Sequence, residues 1–113
     1  MSNQQKIQEL LKPTDCKSKQ DVRKQIDQID KELINLFTMR YEYVKAIVQF
    51  KEKNEQAIVD SERKEKVIKE RSDWAKAQGL DPDTFARIFR LLIDHNIEKE
   101  MEIMEKSKEI HIG

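Results

Sequence analysis

SKQDVRKQIDQIDKELINLFTMRYEYVKAIVQFKEK, residues 18–53, is the stretch that decides the fold. Along it Val22, Ile26, Ile29, Leu33, Leu36, Phe37, Val44, Ile47 and Phe50 recur at three- and four-residue spacings. That is the period of one face of an α-helix. No Gly or Pro stands between Pro13 and Gly79. Ser18, followed three residues later by Asp21, resembles a capping box that opens the helix. The stripe predicts a first helix lasting to about Lys53. At 1.5 Å per residue, roughly 34 residues span about 50 Å. A compact domain of this chain length has a radius of gyration of only ~13 Å. One copy of the remaining chain cannot cover the whole stripe, so the spacing points to a second copy, an intertwined helical homodimer. A long coiled coil fits less well, because the stripe is wide and aromatic and cations interrupt it.

Outward from this segment the punctuation is sparse. Asn54–Val59 reads as a loop. Asp60 or Ser61 caps a second helix that carries Val67, Ile68, Trp74 and Ala75, and Gly79 is its natural stop. Asp81-Pro82 then supplies an N-cap with proline at the first helical position. The third helix carries Phe85, Ile88, Phe89, Leu92, Ile93, Ile97, Met101, Ile103 and Met104. Residues 1–17 are polar, with one helical turn expected at Ile7–Leu11. The expected architecture is all-α: a three-helix chain with a long first helix. Its domain covers residues 18–107, between an N-terminal tail and a C-terminal tail at 108–113.

Composition excludes several classes of function. The chain has 113 residues, enough for one domain. Its 22 Lys and Arg balance its 22 Asp and Glu, so the basic excess of a nucleic-acid module is missing. Large apolar residues recur through most of its length, unlike a disordered tail. Two Gly and two Pro are too few for an all-β domain with many tight turns. Cys16 is the only cysteine, and with only His95 and His111 beside it no zinc spacing exists. No metal and no cofactor are expected. The N-terminus lacks the apolar core of a signal peptide, and no apolar run approaches ~20 residues. A cytoplasmic protein without nucleic-acid or membrane partners is the expectation.

Several charges stand where helical periodicity predicts a core. Arg40 lies on the stripe between Leu36 and Val44. Lys51, eleven residues later, returns to the same face if the helix continues. Two inward cations repel each other and lose hydration unless an anion sits between them. The plainer alternative lets their stems pack while their heads reach water or a carboxylate. Arg23 is 17 residues before Arg40, roughly 25 Å along the axis, beyond the reach of a shared small ligand. In an antiparallel dimer it could complete a site in the other subunit. Asp60 and Arg63 share the N-terminal end of the second helix, where backbone N–H groups favour anions. Arg63 serves a ligand there or pairs with Asp60 at i,i+3. On the third helix, Asn96 and Glu100 share a face with Phe89, Leu92 and Ile103. A protonated Glu100 would donate a hydrogen bond; an ionised one would pair with a cation of the first helix. His95 lies off this face. Such a set can bind a small dianion, fix its conformation and stabilise developing charge without supplying a nucleophile.

These residues resemble a known family. The run Asp21-Val-Arg-Lys-Gln-Ile-Asp-Gln-Ile-Asp30, with Leu33, Leu36, Arg40, Val44, Ile47 and Lys51, looks like the opening helix of the all-helical (AroQ-type) chorismate mutases. Ile58, Asp60, Arg63, the Gly79-Leu80-Asp81-Pro82 turn and Phe89-Arg-Leu-Leu-Ile93 continue the likeness, which covers about residues 18–105. The resemblance implies an intertwined dimer of three-helix chains that rearranges chorismate to prephenate. It implies that Arg23 reaches a substrate carboxylate from the partner subunit and that Arg40 binds a carboxylate within its own. Lys51 would donate to the ether oxygen and a carboxylate as the C–O bond breaks. Asp60 would contact the ring hydroxyl region, with Arg63 holding the nearby carboxylate surroundings. Asn96 and Glu100 match the polar third-helix positions.

Two positions depart from the pattern. Lys64 stands where bacterial mutases often carry a Glu that binds the ring hydroxyl. Glu100 stands where the ether-oxygen donor is commonly Gln. Only a protonated Glu donates, so activity resting on it falls as pH rises, and Glu100→Gln flattens the profile. Tyr43-Val44-Lys45, Phe50-Lys51, Cys16, Arg71-Ser-Asp-Trp74-Ala75 and Gly79-Leu80-Asp81 also look like isochorismate-pyruvate lyases, which share the fold and release pyruvate to make salicylate. A helical dimerisation module that lost activity is a third reading. The presence of Arg23, Arg40, Lys51 and Arg63 together weighs against it.

Overall fold

A computed structural model describes residues 9–51 and 54–112, all of whose regular structure is helical. The long helices are α1 (Lys19–Ile47), α3 (Ser61–Ala77) and α4 (Pro82–Ile112), with a short α2 (Glu55–Val59) between the first two. Turns of 3-10 helix lie at Pro13–Asp15 and Val48–Phe50. Among the described residues no helix is long and apolar enough to cross a membrane. The chain divides into two compact units, Met1–Glu42 and Tyr43–Gly113.

In the first unit Ser18 does open α1. Its Oγ accepts the Asp21 backbone N–H at 3.1 Å, capping one of the donors that a helix start leaves unpaired. The Asp21 carboxylate reaches back one residue further than a standard capping box, accepting from the Lys17 backbone N–H at 2.9 Å. Ile7 and Gln8 of the expected turn lie outside the described residues. Residues 9–11 form no helix there; Leu11 instead donates its backbone N–H to Gln25 Oε1 at 3.0 Å. On α1 the positions that periodicity marked for burial are open. Val22, Ile26, Ile29, Leu33 and Leu36 are each 42–50% exposed. Among the described residues of this unit the buried one is Glu32, whose Oε1 accepts from the Asn35 amide at 3.3 Å.

In the second unit α1 ends at Ile47, short of the expected Lys53, and residues 52 and 53 lie outside the described residues. No Gly or Pro marks this end, so local sequence gave no warning. The chain instead tightens into 3-10 geometry as Val48 becomes buried, and Lys51 leaves the turn in extended backbone. The expected loop at Asn54–Val59 is helical: Asn54 Oδ1 accepts the Ala57 N–H at 2.8 Å and caps α2.

The remaining punctuation is where the sequence put it. Asp60 caps α3. Gly79 sits at φ +79°, the left-handed conformation that ends a helix cheaply only for glycine. Around it the Gly79 N–H reaches Lys76 O at 3.0 Å and the Leu80 N–H reaches Ala75 O at 2.9 Å. Asp81 caps α4, its Oδ2 accepting from the Thr84 N–H at 3.0 Å and the Thr84 hydroxyl at 2.6 Å. Those two hydrogen bonds, hydroxyl first, hold the Asp81 carboxyl below its ordinary pKa. Helices α3 and α4 pack together. The apolar core of the unit is Val48, Ile58, Val67, Ile68, Ala75 and the fully enclosed Met104. Ion pairs flank the α3–α4 contact. Arg90 grips Glu65 with two bonds, 2.7 and 3.0 Å, and Lys64 meets Asp94 at 2.5 Å. The Arg90 bond is the main reason the Glu65 carboxyl titrates below its ordinary value. Helix α4 runs to Ile112, past residue 107 where the sequence reading ends the domain.

Candidate active site

Of the polar residues expected in the second unit, Asn96 and Glu100 lie on the buried face of α4 and Lys51 reaches it, while Asp60 and Arg63 do not. Asn96, Glu100 and Met104 follow one another at four-residue steps, so one side of the helix presents all three. All are buried, Asn96 and Glu100 at 6% exposure each. Buried amide and carboxyl groups cost free energy unless they are hydrogen-bonded. For Glu100 the partner is Lys51, whose Nζ lies 2.7 Å from Glu100 Oε1. The Lys51 side chain is 25% exposed and that of Glu100 7%. The contact is a charge-assisted hydrogen bond between residues 49 apart in sequence. Of the two states expected for Glu100, this geometry is the ion pair. An ammonium carries three donors, so Lys51 retains capacity for further acceptors on its exposed side.

The route by which Lys51 arrives differs from the helical argument. Because α1 stops at Ile47, Lys51 is not three turns beyond Arg40 on one helix. Its ammonium is placed by the 3-10 turn and the extended residue that follows. Arg23 and Arg40 belong to the first unit; Arg23 is exposed and Arg40 half-buried.

Asp60 and Arg63 are brought together, though not as an ion pair of side chains. Asp60 Oδ1 accepts the backbone N–H of Arg63 at 3.1 Å, so the i,i+3 relation is a helix cap. The Arg63 side chain is exposed. Gln56, Val59, Asp60 and Ser61 line a shallow open depression. Gln56 was not anticipated: its segment read as loop, and a five-residue helix carries too little periodicity to be seen. Lys64, one of the two departures from the family pattern, is held by Asp94 of α4. Its ammonium is committed to joining α3 and α4.

Among the described residues there is no cluster of His, Cys, Asp and Glu able to hold a metal ion. The chemistry available in the second unit is that of an ammonium, a carboxyl, an amide and a capped helix start. Groups of these kinds are able to bind and orient an anionic molecule and to stabilise charge on it.

Comparison with known proteins agrees with this inventory. The family model described as chorismate mutase type II matches residues 22–101. The isochorismate pyruvate lyase of Pseudomonas aeruginosa is 32% identical over 96 residues, covering 85% of this chain and 94% of that protein. The chorismate mutase of Methanocaldococcus jannaschii is 26% identical over 88 residues, covering 78% of this chain and 89% of that protein. A bifunctional chorismate mutase/prephenate dehydratase of Buchnera aphidicola is 30% identical over 84 residues, 74% of this chain but 22% of that longer protein. The chain belongs to the chorismate mutase type II family.

Proposed function

We propose that this member of the family is a chorismate mutase, rearranging chorismate to prephenate by electrostatic preorganisation without covalent catalysis. The observation that carries the reading is the Lys51–Glu100 pair on the buried polar face of α4, within the matched residues 22–101. In the rearrangement one C–O bond breaks as a C–C bond forms, and negative charge grows on the departing ether oxygen. Lys51 donates to that oxygen and to a carboxylate. Glu100 holds the Lys51 ammonium in position, and Asn96 orients the substrate one helical turn away. Donors fixed before the reaction need little reorganisation as charge develops, which is why such sites accelerate a unimolecular step. Arg40 and Arg63 bind carboxylates, and Asp60 contacts the ring hydroxyl region.

The working form in this proposal is an intertwined homodimer in which Arg23 crosses to the partner's site. The exposed row Val22, Ile26, Ile29, Leu33 and Leu36 supports it. An apolar row of this length marks an interaction surface, and a second copy offers the same row.

Isochorismate-pyruvate lyase is the second reading. It is favoured by the likeness to the Pseudomonas aeruginosa protein of that name, which runs over nearly that protein's whole length. Both substrates are dicarboxylates, so the same cations serve either. The deciding experiment supplies chorismate and isochorismate separately and measures prephenate, pyruvate and salicylate. Prephenate from chorismate supports the mutase. Salicylate and pyruvate from isochorismate alone replace it with the lyase. No product from either, and no rise in melting temperature with millimolar chorismate, leaves a non-catalytic helical module.

A further inference from the structure

We propose that Glu100 is a built-in rival for the anion that Lys51 binds, so that a carboxylate ligand must bring binding energy from contacts beyond Lys51. The inference rests on the anion site proposed above and concerns what that site demands of its ligand. The carboxylate is the fixed member of the pair. Glu100 stands mid-helix with Asn96 one turn before it and Met104 one turn after, all buried. Lys51 is the adaptable member: its ammonium ends a flexible four-carbon stem and is a quarter exposed. Its backbone is pinned nearby by the buried Val48, and Ile58 anchors the chain after it. The ammonium can therefore turn between Glu100 and an arriving anion while its backbone stays in place.

An anion approaching Lys51 meets a donor already engaged at 2.7 Å by a carboxylate. It has to share or displace that partner, and a buried carboxylate deprived of its cation is costly. A ligand with one carboxylate has only the Lys51 contact to set against this cost. A dicarboxylate adds contacts elsewhere and overcomes it. Glu100 lowers affinity for every anion alike, so binding depends on contacts besides Lys51. It acts through Lys51 and, in the resting state, is a positioning residue.

The test is Glu100→Gln, which keeps the size and hydrogen-bonding capacity of the side chain and removes its charge. Calorimetry at one neutral pH compares parent and variant with benzoate and with adipate, an unreactive dicarboxylate. The variant is expected to bind both more tightly, by on the order of tenfold, the worth of one charge-assisted hydrogen bond. The gain disappears in Lys51→Met/Glu100→Gln. Loss of packing would weaken binding, so tighter binding is a result that a merely structural role does not give. Equal or weaker binding in a variant with the parent's circular dichroism overturns the proposal. So does absence of binding by both proteins, or a variant that does not fold. Turnover assays separate this inference from the function it rests on. Tighter adipate binding without turnover of chorismate or isochorismate by the parent sinks the enzyme reading alone. Turnover with unchanged affinities sinks this inference alone.

Discussion

Helix α1 leaves apolar residues open, while α4 buries polar ones. Val22, Ile26, Ile29, Leu33 and Leu36 are each more than two-fifths exposed, whereas Asn96 and Glu100 are 6% exposed. Both faces run against the ordinary sorting of apolar groups inward and polar groups outward, and in opposite directions. An exposed apolar row gains free energy when another apolar surface covers it. A buried polar row has already lost its hydration, and recovers it only through partners such as the 2.7 Å bond from Lys51. The first face is thus suited to a macromolecular partner and the second to a small polar ligand. The two departures have different physical remedies, and that separates assembly from chemistry within one short chain.

The largest effect expected from breaking the contrast is on the polar side. Lys51→Ala removes the donor proposed for the breaking C–O bond and should lower kcat/KM by about 10²–10³-fold. A steady-state assay on the substrate that the protein turns over measures this. A loss below tenfold removes Lys51 from the chemistry. On the apolar side, Leu33→Asp places a charge in the middle of the exposed row. The variant should sediment as a monomer and lose most activity, since Arg23 no longer reaches a partner. A parent chain that sediments as a monomer with full activity would discard the dimer altogether.

A mixing experiment sharpens the same contrast. Arg23→Ala and Lys51→Ala, each impaired alone, are denatured and refolded together. If Arg23 crosses the interface, half the sites of each mixed dimer are intact. Random pairing then restores about a quarter of the parent's sites. No recovery would place Arg23 in its own subunit's site or outside any site.

Smaller effects concern the frame that holds the polar face. Gly79→Ala meets no atom within 4 Å of the added carbon, so its cost is backbone strain at φ +79°. A loss of roughly 1 kcal/mol is expected, a fall in Tm of about 4–8 °C by thermal melting. An unchanged Tm would mean that the α3–α4 turn relaxes at no cost. The smallest effect is electrostatic. Glu65 and Asp81 both titrate below their ordinary values, Glu65 chiefly through Arg90 and Asp81 chiefly through the Thr84 hydroxyl. A carboxyl with a depressed folded-state pKa stabilises the fold above its unfolded value and loses that contribution as pH falls through the folded one. Melting temperature should therefore decline as pH falls below the ordinary values of 4.5 and 3.8. Both groups are exposed, so solvent screening keeps the contribution of each small. Glu65→Gln should shallow this decline and leave neutral-pH activity unchanged; an identical acid melt would assign the acid sensitivity to other carboxyls.

Much of the molecule was legible because its signals are local. Ser18, Asp60 and Asp81 each accept a backbone N–H three residues away. The Gly79 stop likewise depends on its own φ and the carbonyls of the preceding turn. Such interactions lie within one helical turn, where spacing in sequence is distance in space. The end of α1 departs from the expectation because the chain passes into a 3-10 turn at Val48–Phe50 with no Gly or Pro to mark it in the sequence. The segment at residues 55–59 was missed because one turn shows no period. Asn96 and Glu100 were placed on one face from their four-residue spacing alone. That Glu100 meets a cation was one of two outcomes read from the sequence, and Lys51 was not singled out as that cation.

The sequence by itself determined the all-helical class, the starts of the three long helices, the Gly79 turn, the family and which polar residues share a face. All of these follow from neighbours a few bonds apart or from the order of side chains along the chain. The tertiary structure decided that Lys51 leaves the helix and that its ammonium reaches Glu100. It also decided that Lys64 is committed to Asp94. Those contacts join residues 30 to 49 positions apart, and no local spacing encodes them. Such pairs are chosen when whole helices dock and buried charges must find the nearest partner that offsets their lost hydration.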